Sequence, residues 1–256
     1  MKHSILKSLF IISLSIFSIF THAQPYLVGH RGSFWGVENT AEAFINGALK
    51  GYLYLECDIK VTADSVIVVA HDNTTERLGG ALTINTSTLE ELQTEKYKQT
   101  RGNTEYIGKI CTLAEYLDIC VKYHVFPLIE LKWANGINNN DQSGIPALIS
   151  LIEEKGLREV CIILTSMKPC LEYIRTHYPD IELQLLAWKY SRKNFNWCKR
   201  WNIDVDIHHS SINKRIVRKH HNHGLEVNTW TVNNDSTFQK VLHTRCDFIT
   251  IDKIHF

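Results

Sequence analysis

The chain has 256 residues, of which 44% are hydrophobic and 21% charged, and this balance excludes a disordered or a collagen-like protein. Its formal net charge of +1 offers no basic excess, so we expect no nucleic-acid partner. The length suits one large domain, because α/β barrels contain roughly 250 residues.

The first 23 residues differ from the rest of the chain. Lys2 and Lys7 precede a run over residues 9–20 that is apolar apart from serines, and Ala23 ends the segment with a small side chain. This order is typical of a secretory signal peptide, and the run is shorter than the roughly 20 residues that span a bilayer. We predict a signal peptide over residues 1–23 and one exported domain over 24–256, periplasmic or secreted and without a membrane anchor after cleavage.

Apolar strands alternate with amphipathic helices through the rest of the chain. The pattern predicts strands at Tyr26–Gly29, Tyr52–Val61, Pro127–Lys132, Val160–Thr165, Glu182–Ala187, Asp204–His208, Glu226–Val232 and Phe248–Ile251. It predicts helices at Ala41–Leu49, Leu113–His124, Pro146–Lys155, Pro169–His177, Lys193–Trp201, Asn213–His221 and Ser236–His243. Asn39 is the expected N-cap of the first helix. A short extended piece is expected at Val66–Ala70, whereas residues 72–110 have no clear pattern.

Eight strands with helices between them predict an α/β protein with a closed (β/α)₈ TIM barrel. The rival is an open doubly wound sheet, but no G-x-G-x-x-G loop follows the first strand. Since the last predicted strand ends at Ile251, we expect the last helix to be short or absent.

The seven cysteines include no C-x-x-C pair, so we expect no structural zinc site. Their odd number leaves at least one thiol free, and export would allow one disulfide among the others. We expect most of the thiols to be buried as small apolar groups. The sequence predicts neither a disulfide pairing nor an oligomeric state.

Ionisable residues lie near the ends of the predicted barrel strands, where TIM barrels carry their active sites. Glu56 and Asp58 are two residues apart on one strand, and Glu130 and Lys132 repeat that spacing on the next, so each pair points to one face. Burying unpaired acids is costly, and oxygen ligands suit hard cations. The three acids therefore predict a site for one divalent cation, Ca²⁺ or Mg²⁺.

Two histidines complete this candidate site. His30 ends the first strand, and His71 follows the extended piece at Val66–Ala70. Arg31 offers a forked donor to phosphate oxygens, and a cation would neutralise charge in the transition state. Two histidines can divide the proton transfers between a base and an acid. These residues together predict phosphate chemistry.

Six short segments carry a family resemblance: His30-Arg31-Gly32, Glu38-Asn39-Thr40, Glu56-Cys57-Asp58, His71-Asp72, Glu130-Leu131-Lys132 and Trp230-Thr231-Val232-Asn233. In this order and spacing they resemble the signature of the glycerophosphodiester phosphodiesterase family, and the resemblance covers nearly all of the chain after the predicted signal peptide. It implies a TIM barrel of the phospholipase C-like phosphodiesterase type. It also implies hydrolysis of small glycerophosphodiesters to sn-glycerol 3-phosphate and an alcohol.

The resemblance also implies roles for single residues. The acid–base pair would be His30 and His71, the metal ligands Glu56, Asp58 and Glu130, and the phosphate-binding groups Arg31 and Lys132. Trp230 would line the substrate pocket, with a plain core aromatic as the alternative. In the family mechanism the glycerol 2-hydroxyl of the substrate attacks phosphorus, and water then opens the cyclic phosphate.

Departures from the family pattern at Ser65, Leu78-Gly79 and Ile251 leave the alcohol head group open. Two alternatives stay open as well: a related phosphodiesterase that acts on intact lipid or releases a cyclic phosphate, and an inert phosphodiester-binding protein. His208 and His209 can reach the pocket from the sixth strand. The aromatic residues between Trp188 and Trp201 are expected to pack helices on the barrel, with a cationic head group as the alternative contact.

Overall fold

A computed structural model describes residues 24–253, so the predicted signal peptide lies outside the described residues. The strands of this part are β1 (Tyr26–Gly29), β2 (Tyr54–Val61), β3 (Ile67–Val69), β4 (Tyr97–Arg101), β5 (Thr104–Gly108), β6 (Cys111–Thr112), β7 (Phe126–Leu131), β8 (Ile162–Thr165), β9 (Glu182–Ala187), β10 (Asp204–His208), β11 (Val227–Trp230) and β12 (Phe248–Ile251). Its α-helices are α1 (Ala41–Leu49), α2 (Leu89–Gln93), α3 (Leu113–Tyr123), α4 (Ile145–Glu154), α5 (Lys168–His177), α6 (Arg192–Trp201), α7 (Lys214–His221) and α8 (Asp235–Leu242).

Eight of the strands form the barrel. They pair in parallel in the order β1-β2-β7-β8-β9-β10-β11-β12, and β12 pairs with β1 to close the ring. This confirms the predicted (β/α)₈ architecture. Residues 252 and 253, which follow β12, form no helix. No helix among residues 24–253 is long and apolar enough to cross a membrane.

Strand alternation divides the side chains between the two faces of the barrel wall. Outward residues pack against the helices; for example, Leu55 of β2 lies in one buried cluster with Phe44 of α1 and Tyr116 of α3. Inward residues form an apolar layer that includes Val28, Leu128 and Phe248. The inward positions that follow along the strands carry the charged residues, which places these at the carboxyl-terminal mouth.

Residues 72–110, which had no clear sequence pattern, form an excursion between β2 and α3. β3 pairs antiparallel with β2, and β6 pairs antiparallel with β3. β4 and β5 make a separate hairpin, and a capping box of Thr88 and Glu91 starts α2. The hairpin returns to the barrel mouth, where Gln99 contacts Glu38.

The structure corrects one expectation from the sequence and decides an alternative that the sequence left open. Thr40, not Asn39, is the N-cap of α1. Asn39 has a φ of 57°, a conformation that asparagine tolerates better than most residues, and its side chain bonds Asp58 instead. The disulfide that export would allow is also absent, since all seven thiols are buried and free. Burial raises the pKa of these thiols, for example that of Cys120 to about 12, so they are inert apolar groups.

Candidate active site

Three carboxylates meet at the barrel mouth. Asp58 on β2 lies beside Glu130 on β7 in the strand register, and Glu56 precedes Asp58 on the same face. One ligand oxygen of each lies within 4.8 Å of those of the others. The structure thus brings together the three acids that the sequence singled out.

The electrostatics of this carboxylate cluster favour a bound cation. Burial, with the charges of Asp58 and Glu130, raises the pKa of Glu56 well above its usual range. Burial and Asp58 raise the pKa of Glu130 to about 7. Burial also opposes ionisation of Asp58, but Lys132 and Arg31 outweigh it and lower the pKa of Asp58 to about 2. An all-oxygen cluster whose members repel one another fits a hard divalent cation, which would relieve that repulsion.

Two cationic side chains border the carboxylate cluster. The Lys132 ammonium lies 2.6 Å from Glu130 Oε1 and 3.1 Å from Asp58 Oδ1. Arg31 donates its backbone N–H to Glu56 Oε2 at 2.7 Å and its guanidinium to Glu38 Oε1 at 2.8 Å. Burial opposes the charge of Arg31, but the nearby carboxylates outweigh it and raise its pKa. Both cations are therefore charged and held in place.

The backbone at Arg31 and Gly32 is unusual. Arg31 has a φ of 50°, which is uncommon for a residue with a side chain, and Gly32 has a φ of +93°. A Cβ on Gly32 would lie 2.8 Å from the carbonyl carbon of Ala43, so only glycine fits there. This turn directs the Arg31 N–H at Glu56. The His30-Arg31-Gly32 segment therefore needs glycine at its third position for a structural reason.

Each of the two histidines is oriented by a carboxylate. His30 Nδ1 lies 2.7 Å from Asp252 Oδ1, and Asn233 donates to the other oxygen of Asp252 at 2.6 Å. His71 Nδ1 lies 2.7 Å from Asp72 Oδ1. This contact assigns the proton to Nδ1 and leaves Nε2 of each ring as an acceptor. Within residues 24–253 neither Nε2 has a hydrogen-bond partner.

The environment of His71 keeps its ring neutral. Burial is the largest cause that lowers the pKa of His71, and Arg31 and Lys132 add to it, against the opposing effect of Asp58. His71 is therefore an available proton acceptor at neutral pH.

Sequence reasoning gave no role to the groups that hold the central residues, although Glu38 stands in one of the segments that carry the family resemblance. Glu38 is 6% exposed and accepts hydrogen bonds from Arg31, Arg77 and Gln99. Lys60, the next inward residue on β2 after Asp58, donates to Asn73 Oδ1. The period of two along β2 could have identified Lys60, whereas the partners of Glu38 come from distant segments.

Aromatic rings line the opposite side of the mouth. Trp188 and Trp230 lie 5.4 Å apart with His208 beside both, and His209 lies 4.3 Å from His208. Trp188 is 59% exposed, so the expected helix packing is wrong for this residue. The expected packing holds for Trp197 and Trp201, which are partly buried and pack against the core.

Known proteins share this sequence pattern and this fold. A sequence model of the glycerophosphoryl diester phosphodiesterase family matches residues 29–255. YhdW of Bacillus subtilis, a protein proposed to be a glycerophosphodiester phosphodiesterase, is 28% identical over 246 residues, which are 89% of this chain and 94% of that protein.

Solved structures match over almost the whole described chain. A phosphodiesterase of Oleispira antarctica, in complex with the product sn-glycerol-3-phosphate, has a TM-score of 0.79 at 21% identity and covers 90% of this chain and 93% of its own. A glycerophosphodiester phosphodiesterase of Thermotoga maritima has a TM-score of 0.69 at 19% identity, with 91% and 96% covered. At these identities the structures show a shared fold.

Proposed function

This chain belongs to the glycerophosphoryl diester phosphodiesterase family, and from that premise we propose that it hydrolyses glycerophosphodiesters to sn-glycerol 3-phosphate and an alcohol at the barrel mouth. The observation that carries the proposal is the placement of two carboxylate-held histidines around one mouth that also contains the carboxylate cluster. The family match, and the product complex of the Oleispira antarctica relative, support the same substrate class.

We propose that Glu56, Asp58 and Glu130 hold one divalent cation, Ca²⁺ or Mg²⁺. When bound, such an ion would neutralise the negative charge that develops on the phosphate oxygens. The raised pKa values of Glu56 and Glu130 support this assignment, because their cause is burial and mutual repulsion that a cation would offset.

Arg31 and Lys132 would bind the phosphate diester. Arg31 presents a planar fork suited to two phosphate oxygens, and Lys132, directly after β7, supplies a compact charge. Their carboxylate partners fix both groups before substrate arrives, which lowers the entropy lost on binding. Trp230 would contact the substrate at the far side of the mouth.

His30 and His71 would carry the protons. One Nε2 would accept the proton of the glycerol 2-hydroxyl as that oxygen attacks phosphorus, and the other imidazole would protonate the leaving alcohol. Water would then open the cyclic phosphate, with the two histidines exchanging roles. No serine or cysteine nucleophile is required, and the buried cysteine thiols are unsuited to that task.

The test is release of sn-glycerol 3-phosphate from purified protein. We expect release from glycerophosphocholine, glycerophosphoethanolamine or glycerophosphoglycerol, its loss with EDTA, and its recovery with Ca²⁺ or Mg²⁺. Full turnover after exhaustive chelation would exclude the metal role. A cyclic phosphate as final product, or turnover of intact lipid alone, would replace this function with the related phosphodiesterase.

We also propose that the protein is exported, because residues 1–23 have the order of a signal peptide. Mature protein recovered outside the cytoplasm should begin at Gln24. Protein that is found in the cytoplasm with an intact Met1 would contradict this proposal.

A further inference from the structure

Three aromatic rings lie side by side at the barrel mouth, across from the carboxylate cluster. The register pairs His208 with Trp230, and Trp188 directly follows Ala187, which pairs with Ile207. The Trp188 and His208 rings stack with centroids 4.3 Å apart, and Trp230 meets both nearly at right angles. We call Trp188, His208 and Trp230 the aromatic row.

The ring faces of this row have no cation from the chain itself. Lys50 lies over Trp35, Lys168 over Trp197 and Arg200 over Trp201. In the part of the chain that the structure describes, no lysine or arginine lies over Trp188 or Trp230. Since Trp188 is also 59% exposed, a ligand can reach its face.

The row offers little to a head group that needs hydrogen-bond acceptors. His208 Nδ1 is already bonded to Ser210 Oγ at 2.8 Å, and among residues 24–253 no carboxylate bonds to any of the three rings. Burial, with His209, lowers the pKa of His208, so its ring adds no positive charge at neutral pH. A primary ammonium would lose its hydrogen bonds to water here, whereas a quaternary ammonium has no N–H to satisfy.

A second observation points to a bound substrate. Trp230 Nε1 is buried and has no hydrogen-bond partner within residues 24–253. Buried donors are rarely left unpaired, because losing water without a new partner is unfavourable. Because the donor is covered by its neighbours, a substrate oxygen beside the aromatic row would satisfy it once the Trp230 ring turns.

We propose that the aromatic row binds the quaternary ammonium of a choline-type head group, on the alcohol side of the substrate. This inference rests on the proposed function and names the alcohol that it releases. With the phosphate held at Arg31 and Lys132, the alcohol can extend across the mouth towards β9–β11. Tryptophan is the strongest aromatic partner for such a cation.

The test compares three substrates and three variants. We expect the wild type to prefer glycerophosphocholine to glycerophosphoethanolamine and glycerophosphoglycerol. Trp188→Ala should raise KM for glycerophosphocholine about tenfold and leave kcat within about twofold, since it removes one exposed ring face. Its KM for glycerophosphoglycerol should not change. Trp188→Phe should restore most of the preference. Tyr26→Ala, which removes an exposed aromatic ring at the start of β1 and thus at the opposite end of the barrel, should match the wild type.

Choline binding, measured by isothermal titration calorimetry, separates this inference from the proposed function. If no substrate yields sn-glycerol 3-phosphate, the proposed function fails, while choline that binds the wild type and not Trp188→Ala still supports the aromatic row. If sn-glycerol 3-phosphate is released but choline does not bind, the inference is wrong. Equal changes for all three substrates in Trp188→Ala, or the same change in Tyr26→Ala, would also overturn it.

Discussion

At the scale of single residues, His30 and His71 share one arrangement, in which a carboxylate holds Nδ1 and Nε2 is free. Each ring therefore presents one nitrogen for proton transfer. We predict that His30→Ala and His71→Ala each lower kcat by roughly 10²–10⁴-fold, as expected when a general acid or base is removed. Steady-state kinetics on glycerophosphocholine would measure this loss.

The matched control is His243→Ala. His243 is an exposed histidine whose ring contacts the carbonyl of Gln239 on its own helix. This variant should keep the wild-type rate. A His30→Ala or His71→Ala protein that is folded by circular dichroism and turns over at the wild-type rate would remove that histidine from the proposed mechanism.

The residues that the sequence could identify are those on one strand. Glu56 and Asp58, or Glu130 and Lys132, share a face because side chains alternate, and this needs no knowledge of the rest of the fold. The partners of the histidines are different. Asp252 lies 222 residues from His30 in the sequence, and only closure of the barrel by β12 and β1 brings them together.

At the scale of elements, the barrel strands were predicted well because buried parallel strands are continuous apolar runs. The β4–β5 hairpin gave no such signal. In β4 the exposed and the covered positions alternate, but the covered Gln99 and Arg101 are polar, so the sequence has neither an apolar run nor an apolar–polar alternation. Its position depends on distant contacts such as that of Gln99 with Glu38, which local patterns do not encode.

Glu38 joins these elements to the mouth. We predict that Glu38→Gln destabilises the fold by about 2 kcal/mol at neutral pH, because it weakens the charged hydrogen bonds that the buried carboxylate accepts from Arg31 and Arg77. Burial acts against ionisation, but Arg77 and Arg31 outweigh it and hold the pKa of Glu38 well below its usual range. The folded state thus favours the carboxylate. The ionised Glu38 side chain stabilises the fold fully above its unfolded-state pKa of about 4.5. This contribution is lost as the pH falls towards the folded-state pKa of Glu38.

Urea unfolding of wild type and Glu38→Gln at two pH values would test this prediction. The gap in unfolding free energy should be largest at about pH 7 and should shrink below about pH 4. Glu105→Gln, at an exposed position of β5, is the control and should show no gap. An equal gap at both pH values would mean that packing, not charge, is the contribution of Glu38.

At the scale of the whole molecule, the mouth has a charged half on β1, β2 and β7 and an aromatic half on β9–β11. The charged half is unfavourable without a cation, because Glu56 and Glu130 hold protons more tightly in the folded state. Because the pKa of each acid is higher in the folded than in the unfolded state, the free energy of unfolding falls as the pH rises from about 4.5 through the folded-state pKa. Without a cation, these two residues therefore weaken the fold at alkaline pH.

Cation binding should reverse this trend. The ligands must lose their protons to bind, so we predict that Ca²⁺ or Mg²⁺ raises Tm more at about pH 8 than at about pH 6. Thermal unfolding with each ion and with EDTA would measure the difference. Glu130→Gln should abolish the shift, and a shift of equal size at both pH values would argue against carboxylate ligands.

Asp206 is a buried acid of the barrel interior that lies outside the carboxylate cluster. It is 2% exposed, and its Oδ1 has no hydrogen-bond partner in the described chain. Burial, with the charge of Glu130, raises its pKa well above the usual range. The folded state therefore keeps the proton that the unfolded state loses, and stability falls as the pH rises above about 3.9.

Asp206→Asn keeps the shape and removes the titration, so the variant and the wild type should be similar at about pH 4. We expect the variant to be more stable than the wild type at about pH 8, where the unfolded wild type has lost the proton that its folded state keeps. Urea unfolding with EDTA present would measure both values, with Asp118→Asn on the exposed side of α3 as the control. A wild type that is more stable than the variant at alkaline pH would mean that Asp206 is ionised in the folded protein, which would contradict the raised pKa.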